Sequence, residues 1–376
     1  MTVAVPGRSA GLSVLCVNAG SSTIKAAAYV VGEVPGDERQ TWRWEGEHAT
    51  ATDVLEAFGA AGVEPPAAVG HRVVHGGAAH GGPALVDAAL IDELRSLSAL
   101  APLHQPAAIS AIETLVAAMP HAAQVACFDT SFHRTLPVEA AHLPLPVELW
   151  EQGVRRYGFH GLSYEYIVDR VGPAALGRAA LAHLGNGASM CAVLDGASVD
   201  TTMGFTPTGG IVMGTRAGDL DPGLLVHLFR ERGFDATAVD ELVNRRGGLL
   251  GLSGTSSDMR ELLSARADGD PSAGLAVAVF CRTVRKQIGA YAALLGGLDS
   301  IVFSGGIGER APAVRAEICA GLEFLGVSID DARNREVPDA DVTAISPAGA
   351  PVTVSVVRTD EDRMVARHTA ALVRSL

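Results

Sequence analysis

Apolar residues along this chain fall into two rhythms. Uninterrupted apolar runs bounded by glycine or polar residues predict buried strands over residues 12–17, 24–30, 69–74, 124–128, 180–184, 189–194, 300–303 and 352–357. Apolar positions spaced three or four apart predict helices over residues 85–100, 106–119, 164–171, 223–232, 273–295 and 311–322. A last helix runs from Asp362 to the C-terminus, after the acidic turn of Thr359, Asp360, Glu361 and Asp362. Strands and helices alternate, so the predicted class is α/β.

The pattern also repeats. Residues 12–30 read strand, Asn/Gly/Ser turn, return strand, and residues 180–194 read the same way: VLCVNAGSSTIKAAAY against LAHLGNGASMCAVLD. Two such units suggest a chain built from two related halves. From the residues alone, the Pro-rich stretch 136–146 (LPVEAAHLPLP) is the candidate boundary, because proline interrupts both helix and sheet.

Composition narrows the classes. A chain of 376 residues can hold roughly two to three domains, and 48% apolar with 19% charged residues is a folded globular composition. The net charge of −13 argues against a nucleic-acid binder or a polybasic membrane-surface protein. The apolar runs are far shorter than the roughly 20 residues a membrane span needs. The first residues lack the charged start of a signal peptide, and their apolar run stops at Asn18. Cys16, Cys127, Cys191, Cys281 and Cys319 are scattered without a CxxC pair, so they read as buried apolar residues in a reducing cytoplasm. Only two lysines, Lys25 and Lys286, stand against 27 arginines. Lys286 reads as surface.

Neither GxxxxGK[ST] nor a strand–GxGxxG–helix occurs. Three Gly-rich turns follow strands instead, at residues 18–25, 185–189 and 304–309, each able to aim backbone N–H groups at an anion. One such turn is ordinarily a tight hairpin; three in one chain favour a bound nucleotide. Lys25 beside the first turn reads either as a phosphate contact or as an exposed lysine. Arg72 and Arg216 lie among glycines or strand-end residues and can grip a carboxylate or phosphate bidentately, or form structural ion pairs. His160 reads as a site group or a satisfied core histidine. Asp129 and residues 360–362 end apolar strands, where acidic groups hold Mg²⁺ or cap a helix.

The ordered set of motifs resembles the acetate kinase family over nearly the whole chain. In sequence order these are VNAGSSTIK, GHRVVHGG, LAPLHQP, CFDTSFH, YGFHGLS, HLGNGAS, MGFTP, MGTRAGDLDP, GLSGTSSDMR, SGGIGE and TDED. The resemblance implies an α/β fold of two duplicated ribonuclease-H-like (actin-like ATPase) domains with the active site in the cleft between them. It implies an N-terminal domain of residues 1–131 plus 361–376, and a nucleotide-binding domain of residues 132–360. The implied reaction is reversible, Mg²⁺-dependent in-line phosphoryl transfer from ATP to acetate, giving acetyl phosphate and ADP.

Carried over position by position, the resemblance implies metal contacts from Asn18 and Glu361 (Mg²⁺, with Mn²⁺ as a substitute). Asp129, His160 and Arg216 would be catalytic. Arg72 would bind the acid's carboxylate, with Val74, Leu103, Phe159 and Pro207 around its methyl group. ATP would meet Lys25, His183, Leu184, Gly185, Asn186, Gly187, Asp258, Met259, Arg260, Gly306, Ile307, Gly308, Glu309 and Arg310. A cytoplasmic homodimer, without nucleic-acid or membrane partners, is the implied assembly. The chain departs from the family's pattern at Ala78 (usually Glu), Tyr164 (His), Thr208–Gly209 (Leu-Glu), Met259 (often Phe), Arg310 (Asn) and Asp360 (Asn). None of these removes a residue assigned to the chemistry. Two rivals remain: a kinase of propionate, butyrate or another short acid, and a non-enzymatic nucleotide-binding regulator or chaperone-like ATPase of the same superfamily.

Overall fold

The computed structural model describes residues 11–20, 23–34 and 36–376. Ser21 and Ser22 of the first Gly-rich turn, and the first ten residues read above for a signal, lie outside the described residues. The chain divides into two compact units. One holds the described residues up to Ser131 together with Asp360–Leu376, and the other holds Phe132–Thr359.

The first unit is built on strands β1 (Leu12–Ala19), β2 (Thr23–Val31), β3 (Glu38–Glu47), β4 (Ala68–Val73), β5 (Ala84–Leu85) and β6 (Ala123–Phe128). The second uses β7 (Arg178–Leu184), β8 (Ala188–Leu194), β9 (Ala197–Thr201), β10 (Ser300–Ser304), β11 (Val342–Ala344) and β12 (Thr353–Val357). The sheet orders are β3-β2-β1-β4-β6-β5 and β9-β8-β7-β10-β12-β11. Position by position they share one plan: three antiparallel strands, two parallel additions and an antiparallel edge. Even the irregularity recurs, since β2–β3 and β8–β9 each carry one register shift. The halves suggested by the two turn motifs are therefore duplicated domains.

Strand alternation sorts the first unit's side chains by face. Leu15, Val17, Val69 and Val54 pack on one side of the sheet with Phe58 and Leu115. The other side receives the C-terminal helix Glu361–Arg374, whose Val365 and Thr369 press on β4. A Cβ at Gly70 would sit 2.3 Å from Thr369 Oγ1 and 2.6 Å from Val365 Cγ1, so only glycine admits the helix there. The helix is further tied by Arg367 Nε donating to the buried Glu38 Oε1 at 2.6 Å, and by Tyr29 Oη donating to Asp360 at 3.0 Å.

Several boundaries differ from the sequence expectation for local reasons. The span 85–100 is not one helix: β5 pairs with β6, Asp87 caps Ala88–Ser96, and a single turn Ser98–Leu100 follows. The helix expected over 311–322 is found from Pro312 to Cys319, with Ala311 just before it and Pro312 at its first position. The Pro-rich stretch lies inside the second unit, where Pro137 and Pro146 precede short helices; it is not the boundary. Strand β3 went unread because its alternation rests on two aromatics, Trp42 and Trp44, over an exposed outer face. All five cysteines are buried and free. Among the described residues no helix is long and apolar enough to cross a membrane.

Candidate active site

In the first unit the chemistry collects at the C-terminal ends of parallel strands. Asn18 on β1, Arg72 on β4 and Asp129 just past β6 share the sheet face covered by the C-terminal helix, and Glu361 opens that helix. Arg72 joins them. Its Nε and Nη2 donate to Asp129 at 2.7–3.2 Å, and its Nη1 donates to Glu361 Oε2 at 3.0 Å and Asn18 Oδ1 at 3.3 Å. Asp129 is 1% exposed. Burial opposes the charge on Arg72, but Asp129 and Glu361 outweigh it and hold the guanidinium's pKa above its ordinary range. Four of the expected residues are thus brought together, three oxygen donors around one fork.

The remaining first-unit residues are less tightly gathered. Lys25 faces Asn18 across the β1–β2 hairpin, yet its Nζ pairs with Glu45 at 3.4 Å on an exposed strand face. Half-buried Val74 and Leu103 flank a buried clamp, in which Gln105 accepts from His75 N at 3.3 Å and donates to His75 O at 3.1 Å.

The second unit gathers its own set around the hairpin of residues 185–187. His183 ends β7, and the hairpin returns through Ala188 to Ser189 on β8. The turn at residues 304–309 is not a hairpin but a strand-to-helix turn: β10 runs straight into the helix Gly305–Arg310. Gly305 has φ +73°, and a Cβ there would lie 2.7 Å from Leu184 O, so glycine lets the two segments touch. Glu309 Oε1 accepts from Gly305 N at 3.1 Å, and burial raises its pKa.

His160 holds φ +58°, a left-handed conformation rare for a residue with a Cβ, at the head of the helix Gly161–Val171. Its ring stacks on His183 at 4.4 Å, and its Nδ1 meets Ser189 Oγ at 2.8 Å. Arg216 comes from the irregular segment between β9 and the helix Pro222–Glu231. That segment is pinned by Met213 N to Arg216 O at 3.1 Å, Gly214 N to Asn186 O at 3.0 Å and Ala217 N to Val243 O at 2.9 Å. Arg216 Nη1 donates to Pro207 O at 2.7 Å. Its guanidinium and His160 converge on Gly187, whose Cβ position lies 2.6 Å from Arg216 Nη2 and 3.4 Å from His160 Nε2.

Arg216 is 8% exposed, and among the described residues no carboxylate pairs with it. Burial lowers its pKa to about 10, which leaves it cationic at neutral pH. Phe159 is buried beside His160, its carbonyl hydrogen-bonded to His133 Nε2 at 3.0 Å.

Residues expected at the adenine side behave differently. Asp258 caps the helix Met259–Ala267 and pairs with exposed Arg260 at 2.6 Å, while Met259 is buried. Gly306 and Arg310 are exposed, Ile307 is half-buried and Gly308 is buried. Among the described residues no three His, Cys, Asp or Glu side chains are grouped to hold a metal ion.

Sequence reasoning did not single out Ser189, Ser163, Arg315 or Asn334. Ser163 Oγ meets His183 Nδ1 at 2.7 Å. Arg315, fully buried, donates to Gly308 O, Glu309 O and Asn334 Oδ1 at 2.8–2.9 Å, fixing the end of the Gly-rich helix. Ser189 lay within a quoted motif; a helical arginine gives no such signal.

A protein from Rhodopseudomonas palustris (strain TIE-1), called acetate kinase, is 50% identical over 306 residues, spanning 80% of this chain and 76% of its own. Another acetate kinase, from Clavibacter sepedonicus, is 43% identical over 391 residues, spanning 95% and 98%. The crystal structure of a propionate kinase from Francisella tularensis subsp. tularensis SCHU S4 matches with TM-score 0.86 at 34% identity, over 96% of this chain and 99% of that one. The model of the acetokinase family matches residues 51–367. This chain belongs to the acetokinase family. It is a kinase, and its paired sheets are the duplicated actin-like domains of that family.

Proposed function

We propose that this acetokinase-family member phosphorylates acetate with ATP, giving acetyl phosphate and ADP reversibly. A carboxylate oxygen attacks the γ-phosphorus, the bond to the ADP oxygen breaks in line, and no proton need move. The protein's work is positioning and charge stabilisation. The observation that carries this reading is Arg216: a buried cation with no carboxylate partner among the described residues, converging with His160 on a glycine hairpin. Such a group is arranged for an anion that arrives from solution.

In this reading Arg216 and His160 stabilise the transferring phosphoryl group, and Arg72 takes the acid's carboxylate. The second unit's turns at residues 183–187, 258–260 and 306–310, with Lys25 of the first unit, meet the nucleotide. Asn18, Asp129 and Glu361 offer oxygen donors only, the set a hard cation takes, and they fit Mg²⁺. Mg²⁺, when bound there, would neutralise phosphate charge. Val74, Leu103, Phe159 and Pro207 would enclose the methyl group. The relatives called acetate kinases favour acetate, while the match to a propionate kinase makes propionate the second reading. Thr208 Oγ1 donates to Asn244 Oδ1 at 2.7 Å.

Five buried free cysteines support a reducing, cytoplasmic setting. The reading includes a homodimer. The helix Pro222–Glu231 buries none of its residues, and Leu224, Val226 and Phe229 are exposed. Asp219 and Asp221 lie at one end of it, Arg230 and Arg232 at the other. A two-fold axis lays this helix antiparallel to its copy and sets acidic end against basic end, so a second copy of this chain is the occupant that fits.

The test is ADP formation with ATP, Mg²⁺ and each of acetate, propionate and butyrate, with hydroxylamine trapping the acyl phosphate. Acetate-dependent ADP release with trapped product is expected. Release that ignores added acid would overturn the kinase reading, and a rise only with longer acids would replace acetate.

A further inference from the structure

Tyr164 departs from the family's pattern, and it sits behind the candidate catalytic histidine. It occupies the first turn of the helix Gly161–Val171 and is fully buried, its ring against Phe132 and His133. Its Oη lies 2.6 Å from Ser189 Oγ, and Ser189 Oγ lies 2.8 Å from His160 Nδ1. The three side chains form one hydrogen-bonded line.

Counting hydrogens along that line gives it a direction. A buried phenol must donate its hydrogen or bear the cost of an unmade bond. Among the described residues, the acceptor of Tyr164 is Ser189 Oγ. Ser189 then has one hydrogen left to give, and His160 Nδ1 is the group it meets. Nδ1 is therefore the bare nitrogen, and neutral His160 carries its hydrogen on Nε2. Nε2 is the atom aimed at the Gly187 hairpin beside Arg216.

We infer that Tyr164 is a positioning residue: acting through Ser189, it fixes the tautomer of His160 so that an Nε2–H donor faces the hairpin alongside the Arg216 guanidinium. An Nε2–H donor attracts phosphoryl oxygens, whereas the opposite tautomer turns a lone pair toward them. The inference rests on the role proposed for His160, and the two separate experimentally.

The experiment is two-dimensional NMR of the histidine-¹⁵N-labelled full chain at pH 7.5, for the wild type, Tyr164→Phe and Ser189→Ala, together with steady-state kinetics. The wild type is expected to show His160 as a single Nε2–H tautomer. Both variants should show a mixture. In Tyr164→Phe, kcat should fall about threefold to tenfold, the range one hydrogen bond governs, with both KM values held within about twofold. An Nδ1–H tautomer in the wild type, or an unmoved tautomer in both variants, overturns the inference whatever the kinetics. A shifted tautomer with unchanged kcat upholds the relay and removes His160 from the phosphoryl-transfer reading instead.

Discussion

Three arginines, one half-buried and two buried, do three different things. Arg72 is held by Asp129, Glu361 and Asn18; Arg315 is tied to carbonyls and Asn334; Arg216 keeps its charge for something else. Arg216→Ala is expected to lower kcat by about 10²-fold in a protein that stays folded, as loss of an oxyanion-stabilising donor does. Near-normal turnover in steady-state kinetics would remove it from the transition state. Arg72→Ala should raise KM for acetate, and it should also cost about 3 kcal/mol of stability, since the Arg72–Asp129 ion pair at a buried carboxylate is lost. Urea denaturation reads the second effect, and an unchanged midpoint would contradict it. Arg72 and Arg216 were legible in the sequence because glycines and strand ends mark them out. Arg315 was not, because its burial depends on a helix packing that no local pattern announces.

Elements turn these residues into sites through their periodicities. Period two along β1, β4 and β6 puts Asn18, Arg72 and Asp129 on one face, and the helix at Glu361 closes over that face. The duplication matches this row by register. Asn18 pairs with Lys25 at the base of one hairpin, and His183 pairs with Ser189 at the base of the other. One half thus places an amide and an ammonium where its copy places imidazole and hydroxyl. Helix ends matter as much. The short helix Gly305–Arg310 stops at a carbonyl pair capped by Arg315, which Asn334 orients while donating to Pro312 O at 2.9 Å. Asn334→Ala should therefore destabilise the second unit by about 2 kcal/mol and raise KM for ATP more than KM for acetate. Equal changes in both constants would show that the cap does not serve the nucleotide turn. Strand and helix cores were legible from hydrophobic runs. The helix start at Pro312 and the capped start at Asp87 follow from single residues, Pro312 and Asp87, whose effect is local and easily overrun by a periodic pattern.

At the scale of the molecule, each unit carries a buried histidine that burial keeps neutral. His71 meets Gln124 and His133 meets Ser198, and burial lowers the pKa of each to about 4. The unfolded chain binds those protons near pH 6.5, so stability is full above that value and falls as pH drops toward 4. The loss should approach about 3 kcal/mol per histidine. Urea midpoints from pH 7 to 4 should show it, and His133→Gln should flatten the slope by about one proton; an unaltered slope would refute the assignment. Phe229→Glu combined with Leu224→Glu should halve the molar mass measured by light scattering. A dimeric variant would exclude that helix as the interface, and a monomeric wild type would exclude the homodimer itself. By itself the sequence determined the α/β class, the two related halves, most core strands and the residue types of the candidate site, because hydrophobic runs, glycine turns and ordered motifs are local signals. Only the tertiary structure decided that Asn18, Arg72, Asp129 and Glu361 meet, and that Tyr164 stands behind His160. Those pairings join residues far apart in the chain, and packing and hydrogen-bond satisfaction, which no local pattern encodes, select them.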